Sequence, residues 1–224
     1  MNYKDFSFFV FDWNGTLLDD VYFCYELLNK RLIEQGHKPV AFATYRDIFT
    51  FPIIEYYRRA GFVFEPGSPD NFEVLAKKFR VDYQAGFKRL SLFEDAIPFL
   101  EEAKKNKPLY LLSATRQDLL LIETKEKGID GYFENLIGIQ DIYGASKEAA
   151  GKAFFKKHEL DASKALFIGD SLHDEEVAIA FEARCVLISK GHQSREVLLR
   201  GKKKEETLVM DSLSDLGKML FFKD

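Results

Sequence analysis

Cysteine is scarce, with two in 224 residues. Cys24 and Cys185 each lie inside an apolar stretch, and neither takes part in a CxxC or Cys/His spacing. That argues against a disulfide framework and a structural zinc site, and both thiols read as small buried hydrophobes. No charge of one sign dominates: 32 Lys and Arg stand against 36 Asp and Glu, a formal net charge of −4. The chain as a whole therefore lacks the electrostatic footprint of a nucleic-acid or anionic-membrane binder. No uncharged apolar run is long enough to cross a bilayer. Asn2, Tyr3, Lys4 and Asp5, ahead of a short apolar run that carries an aspartate, are not laid out as a signal peptide. A cytoplasmic protein with no nucleic-acid or membrane partner is the expectation. Internal repeats and low-complexity segments are also missing. Aromatic residues are plentiful, with 22 Phe and 10 Tyr, which calls for large apolar contact faces. The length suits one large domain, or a core with a small insert.

Six apolar runs, at 6–12, 109–113, 136–140, 165–170, 185–189 and 207–210, read as strands. Most are continuous rather than alternating, as in a parallel sheet covered on both faces. Helical patterns at 95–105, 116–127, 147–158 and 175–183 lie between the later runs. This alternation predicts an α/β fold, a doubly wound, mostly parallel, Rossmann-like sheet built from right-handed βαβ units. Ligands of such sheets sit at the carboxyl ends of the strands. The stretch 19–92 breaks the alternation: 22–35, 45–49, 53–60 and 70–89 all read as helices, punctuated by Gly36, Pro39, Gly61, Pro66, Gly67 and Pro69. The predicted organisation is a core of residues 1–18 and 93–224 with an all-helical insert at 19–92.

Chemistry-bearing residues fall at the predicted strand ends. The first strand runs into Asp12, Trp13, Asn14, Gly15 and Thr16, placing a carboxylate at the edge with a glycine behind it, where backbone N–H groups can approach an anion. The fourth run ends in Gly169, Asp170, Ser171, Leu172, His173 and Asp174, which adds two more carboxylates. Three acids converging there repel one another unless a hard cation such as Mg²⁺ lies between them. Ser113 ends the second run as a hydroxyl ahead of a predicted helix N-terminus, a favoured place for phosphate oxygens. Lys147, at the start of the next helix, supplies positive charge. A nucleophilic carboxylate, a metal site, a hydroxyl and a lysine together suit phosphoryl transfer to an aspartate.

These four elements, in this order and on these strand ends, resemble the haloacid dehalogenase-like hydrolase superfamily, in particular its phosphoglycolate-phosphatase-like branch, over essentially the whole chain. The resemblance implies that Asp12 is the nucleophile, that Ser113 and Lys147 bind the transferring phosphoryl group with Asn14, Gly15 and Ala114 beside them, and that the helical insert is a mobile cap. It implies Mg²⁺ held by Asp12, Asp170 and the Asn14 backbone carbonyl, with Asp174 orienting a metal-bound water. Lys147 is preferred to the nearby Lys152 for its family-like separation from Asp170. The implied activity is that of a Mg²⁺-dependent phosphatase of a small phosphorylated metabolite.

One position departs from the family pattern. Where its phosphatases carry the acid/base aspartate, two residues after the nucleophile, this chain has Asn14. An amide can hydrogen-bond a leaving oxygen but cannot exchange a proton with it. Since such help is worth about 10²–10⁴-fold, a slow phosphatase, a substitute acid or a different reaction is expected, and Asn14→Asp is expected to raise the rate. His173 and His192, on loops at the same edge, are candidate substitutes. Other readings stand beside these: Asp174 as a helix N-cap, Lys147 as a solvated lysine, and the insert's aromatic set (Phe42, Tyr45, Phe49, Phe51, Tyr56, Tyr57, Phe62, Phe64) as packing. Arg46, Arg58 and Arg59 read as a solvated face or as contacts to an anionic substrate. Alternative activities are a phospho-ligand binding module without turnover and hydrolysis of a carbon–halogen or carbon–phosphorus bond.

Overall fold

The computed structural model describes residues 1–140 and 146–222. Its strands are β1 (Phe8–Phe11), β2 (Leu18–Asp19), β3 (Ser91–Leu92), β4 (Leu109–Arg116), β5 (Asn135–Ile139), β6 (Ala165–Gly169), β7 (Arg184–Ile188) and β8 (Leu208–Met210). Six of them form one sheet in the order β5-β4-β1-β6-β7-β8, and every pairing is parallel. Alternate strand residues serve opposite faces. Phe9 and Phe11 join Leu111, Ile168 and Val186 on one side, while Phe8 and Val10 join Leu112, Phe167 and Leu187 on the other. Two covered faces are the physical reason the strands read as continuous apolar runs.

β2 and β3 pair antiparallel, Leu18 with Leu92 and Asp19 with Ser91. Between them lie α1 (Val21–Glu34), α2 (Phe42–Ile48), α3 (Ile53–Ala60) and α4 (Phe72–Gly86). α3 stops on Gly61, at φ +117°, and α4 starts on Asn71, whose side chain accepts from the Val74 N–H. The insert's Tyr45, Tyr56, Tyr57 and Phe62 belong to the same apolar cluster as Phe11, Trp13 and Leu17. The aromatic set packs the insert and joins it to the sheet.

The remaining helices are α5 (Ala96–Asn106), α6 (Gln117–Glu126), α7 (Lys147–Lys157), α8 (Leu172–Ala180), α9 (Arg195–Gly201) and α10 (Leu213–Phe221). α5 and α10 cover one face through Phe99, Leu216 and Leu220; α7, α8 and α9 cover the other through Phe155, Val177 and Leu198. No helix among the described residues is long and apolar enough to cross a membrane.

Several local features differ from the sequence reading, among them the following. β4 continues past Ser113 to Arg116 because its pairing with β5 resumes after an irregularity between Leu112 and Arg116. Gly138 permits this: a Cβ there would lie 2.6 Å from the Thr115 carbonyl oxygen. α8 begins at Leu172 rather than 175, started by a capping box between Ser171 and Asp174. α9 and α10 occupy segments without a marked helical pattern, since seven and nine residues offer little more than two turns of periodicity.

Candidate active site

Asp12 is the first residue beyond β1, and its N–H prolongs the pairing with β6 by donating to the Ile168 carbonyl at 2.9 Å. Asp170 is the first residue beyond β6, so both carboxylates emerge at one edge of adjacent parallel strands. Oxygens of Asp12, Asp170 and Asp174 lie within 4.8 Å of one another. Lys147, the first residue of α7, reaches Oδ1 of Asp12 and Oδ1 of Asp174, 2.5 Å from each. The other oxygen of Asp174 accepts from the N–H groups of Asp170 and Ser171 and from the Ser171 hydroxyl, at 3.2, 3.0 and 2.8 Å. Asp174 is thus the third residue of its helix and not the N-cap, a position that Ser171 fills. A side chain at Gly169 would overlap the Asp174 carboxyl.

Burial pushes the Asp12 carboxyl up to about 6 against the opposing pull of Lys147. Burial, reinforced by the charges of Asp174 and Asp12, pushes Asp170 up to about 8. Asp174 moves the other way: burial would raise it, but Lys147 holds it below the usual carboxylate range. Burial opposes the charge on Lys147 too, and its two carboxylate partners outweigh that and raise its pKa. Three acids with one ammonium leave a set of hard oxygen donors short of positive charge, which fits Mg²⁺.

Ser113 is buried, and its hydroxyl accepts from the Thr115 N–H at 3.0 Å. With β4 extended, it is not adjacent to a helix N-terminus, which corrects the sequence reading. Ala114 is exposed at the same edge. The Thr115 hydroxyl donates to Oδ1 of Asn14 at 3.0 Å, tying the end of β4 to the loop after β1. Gly15 turns that loop at φ +71°. Its N–H donates to Oδ1 of Asp20 and to the Leu18 carbonyl, both at 3.0 Å, and is not left open to an anion.

Asp20, Tyr83, Glu123 and Gln84 surround the site without having been marked in the sequence. Nδ2 of Asn14 donates to Oδ2 of Asp20 and to the Tyr83 hydroxyl, each at 2.8 Å. His192 places Nε2 3.3 Å from Oδ1 of Asp20 and Nδ1 2.7 Å from the Tyr45 hydroxyl, and its backbone N–H donates to Oδ2 of Asp170 at 2.6 Å. Burial disfavours the imidazolium, but Asp20 beside it raises the pKa to about 9. With both ring nitrogens engaged and Phe49 stacked on the ring, His192 is a structural partner of Asp20 and not a free acid. His173 stacks on Phe51 and faces Glu176. Arg46 follows neither expectation, since its guanidinium donates to the carbonyls of Ser189, Gly191 and Gln193. Arg58 and Arg59 are exposed. Trp13 donates its indole N–H to Glu123 at 2.9 Å, and Glu123 also accepts from Gln84 of the insert at 3.0 Å. Asp20 directly precedes the α1 pattern, so sequence could mark it only as a helix start.

The model of the haloacid dehalogenase-like hydrolase family matches residues 9–188. A search of curated proteins gives no match. Among solved structures, a haloacid dehalogenase-like hydrolase from Streptococcus pneumoniae is similar with a TM-score of 0.78 at 21% identity, covering 96% of this chain and 99% of that one. A predicted phosphatase from Clostridium acetobutylicum gives 0.76 at 18%, covering 96% and 97%. A predicted phosphoglycolate phosphatase from Haemophilus somnus gives 0.71 at 17%, covering 96% and 98%. At these identities the likeness is one of fold.

Proposed function

Because this chain belongs to the haloacid dehalogenase-like hydrolase family, we propose that it is a Mg²⁺-dependent phosphatase of a small phosphorylated metabolite, working through an aspartyl phosphate on Asp12. The observation that carries the reading is the contact of Lys147 with both Asp12 and Asp174 inside the three-carboxylate cluster. Asp12, Asp170 and Asp174 together with the Asn14 backbone carbonyl would hold or orient the cation. When bound, Mg²⁺ supplies the charge that neutralises phosphoryl oxygens. Asp12, kept ionised by Lys147, attacks phosphorus; the P–O bond to the leaving alcohol breaks, and water then cleaves the acyl phosphate and restores the carboxylate. Lys147 carries its charge between nucleophile and phosphoryl group, and Ser113 with the exposed edge at Ala114 receives phosphoryl oxygens. Residues 19–92 would close over the substrate, with β2 and β3 as the crossing points, and 1–18 with 93–224 would form the catalytic core.

The acid cluster speaks against metal-free carbon–halogen hydrolysis. Carbon–phosphorus cleavage in this family needs a cap lysine at the reacting centre, and the insert's lysines, Lys30, Lys38, Lys77, Lys78 and Lys88, are all exposed. The deciding experiment is hydrolysis of an aryl phosphate and an acyl phosphate with Mg²⁺ and with a chelator, on wild type and Asp12→Asn. Turnover only with Mg²⁺ and an intact Asp12 is expected. Full activity in chelator overturns the metal role, and tight phosphate binding without turnover would identify a binding module.

A further inference from the structure

Asp20 stands at the N-cap of α1, but its side chain makes no capping bond to the helix backbone. Its carboxylate, about 1% exposed, is turned toward the loop that follows β1. Oδ1 takes the Gly15 N–H and faces Nε2 of His192, at 3.0 and 3.3 Å. Oδ2 takes the Asn14 amide and the Tyr83 hydroxyl, each at 2.8 Å, with the Cys24 thiol at 3.6 Å. A carboxylate only accepts hydrogen bonds, so the face of Asn14 toward it must be the NH₂ group. The amide oxygen is then committed to the Thr115 hydroxyl at 3.0 Å. Every polar atom of the Asn14 side chain is engaged.

We propose that Asp20 is a positioning residue that fixes the Asn14 amide, so that positions 14 and 20 form one unit holding a single carboxylate. The catalytic meaning of this unit rests on the phosphatase reading, whereas its contacts do not. A carboxylate introduced at position 14 would face Asp20 across 2.8 Å, and the Tyr83 hydroxyl beside both has one proton to donate and can serve only one of them, a like-charge contact in a buried site. Residue 14 has to be a neutral donor as long as residue 20 is an aspartate. Asn14→Asp by itself therefore fails to speed turnover, contrary to what position 14 viewed alone suggests. Exchanging the pair, Asn14→Asp with Asp20→Asn, keeps one carboxylate and one amide: the new amide donates to position 14 and accepts from Gly15 and His192.

A double-mutant cycle on the full chain tests this through the thermal midpoint and through pre-steady-state and steady-state turnover of an aryl phosphate with Mg²⁺. Asn14→Asp is expected to lower the midpoint by about 5 °C or more without raising kcat. Asp20→Asn is expected to lower kcat about tenfold with KM nearly unchanged, as lost positioning of the loop requires. The exchanged pair is expected to regain the midpoint to within about 2 °C and to match or exceed wild-type kcat. If Asn14→Asp alone does not fold, folding of the exchanged pair supports the proposal and its failure overturns it. Additive midpoint shifts, or an Asn14→Asp protein that is both stable and faster, also overturn it. Should wild type turn over no phosphate ester, the phosphatase reading falls, while the substrate-free midpoint cycle still decides whether 14 and 20 act as one unit.

Discussion

At Asp12 burial and Lys147 act in opposition, and the balance leaves a carboxylate raised to about 6 that is still mostly ionised at neutral pH. Asp12→Asn is nearly isosteric and removes the proposed nucleophile, so turnover should fall by at least about 10³-fold with the fold retained. A variant within about tenfold of wild type contradicts the covalent route. The engaged amide of Asn14 leaves no side-chain donor from that position for the departing alcohol. The rate should accordingly depend steeply on leaving-group pKa, with aryl and acyl phosphates far ahead of alkyl phosphates in a substrate series. A flat series under conditions where the first chemical step limits would point to another donor. Asp170 gives a pH prediction. Its folded-state pKa is raised from 3.8 to about 8 in the metal-free protein, so near neutrality the folded state holds a proton that the unfolded state has released. Stability of the metal-free protein therefore falls as pH rises across that window. In the proposed metal role Mg²⁺ has to displace the same proton, so its apparent affinity should climb by up to about tenfold per pH unit toward pH 8 and level off above. Calorimetric titration across that range checks it, and constant affinity contradicts it.

Between elements, α2 is clasped to the loop after β7. Arg46 donates to three carbonyls of that loop, Gln193 donates to the Phe49 carbonyl at 2.7 Å, and the Ser194 hydroxyl donates to Asp47 at 2.7 Å. Removing the guanidinium leaves three carbonyls short of a partner, and Arg46→Met should loosen the insert more than the sheet. Limited proteolysis should then cut within 36–69 sooner while kcat/KM falls, and unchanged cleavage rates would deny the clasp. Elements of this kind were legible where burial dictates pattern. The runs at 165–170 and 185–189 read as strands because α-helices cover both faces, and Asp12 and Asp170 could be placed at one edge because parallel topology puts strand ends together. Ser113 and Asp174 were placed less well: a resumed β4–β5 pairing and a capping box shift an element boundary by three residues, and both depend on partners outside the local run. The Asp20 network was not legible at all. It joins side chains at positions 14, 20, 83 and 192 that only the tertiary fold brings together.

Across the whole molecule, sheet and insert are not separately packed. Phe11 and Leu111 of the sheet, Trp13 and Leu17 of the loop, and Tyr45 and Tyr56 of the insert belong to one buried cluster. Trp13 lies at the junction with no exposed surface and is the sole tryptophan. Its indole N–H holds Glu123 of α6, and Glu123 in turn takes Gln84 of α4. An insert that melted by itself would expose half of this cluster and strip Glu123 of its insert-side donor, leaving a buried carboxylate under-satisfied. The insert and the sheet should therefore unfold together. Tryptophan fluorescence, which reports the junction, and far-ultraviolet circular dichroism, which reports all helices, should give thermal midpoints within about 2 °C of each other, as a cooperative transition requires. Trp13→Phe removes the donor to Glu123 and leaves a cavity where the larger ring was. It should lower the dichroism midpoint by roughly 5–10 °C, corresponding to about 2–3 kcal/mol in a chain of this size. Loss of helical signal well before the fluorescence change in wild type would show that the insert has a stability of its own, and the shared cluster would then be a docking contact rather than a common core.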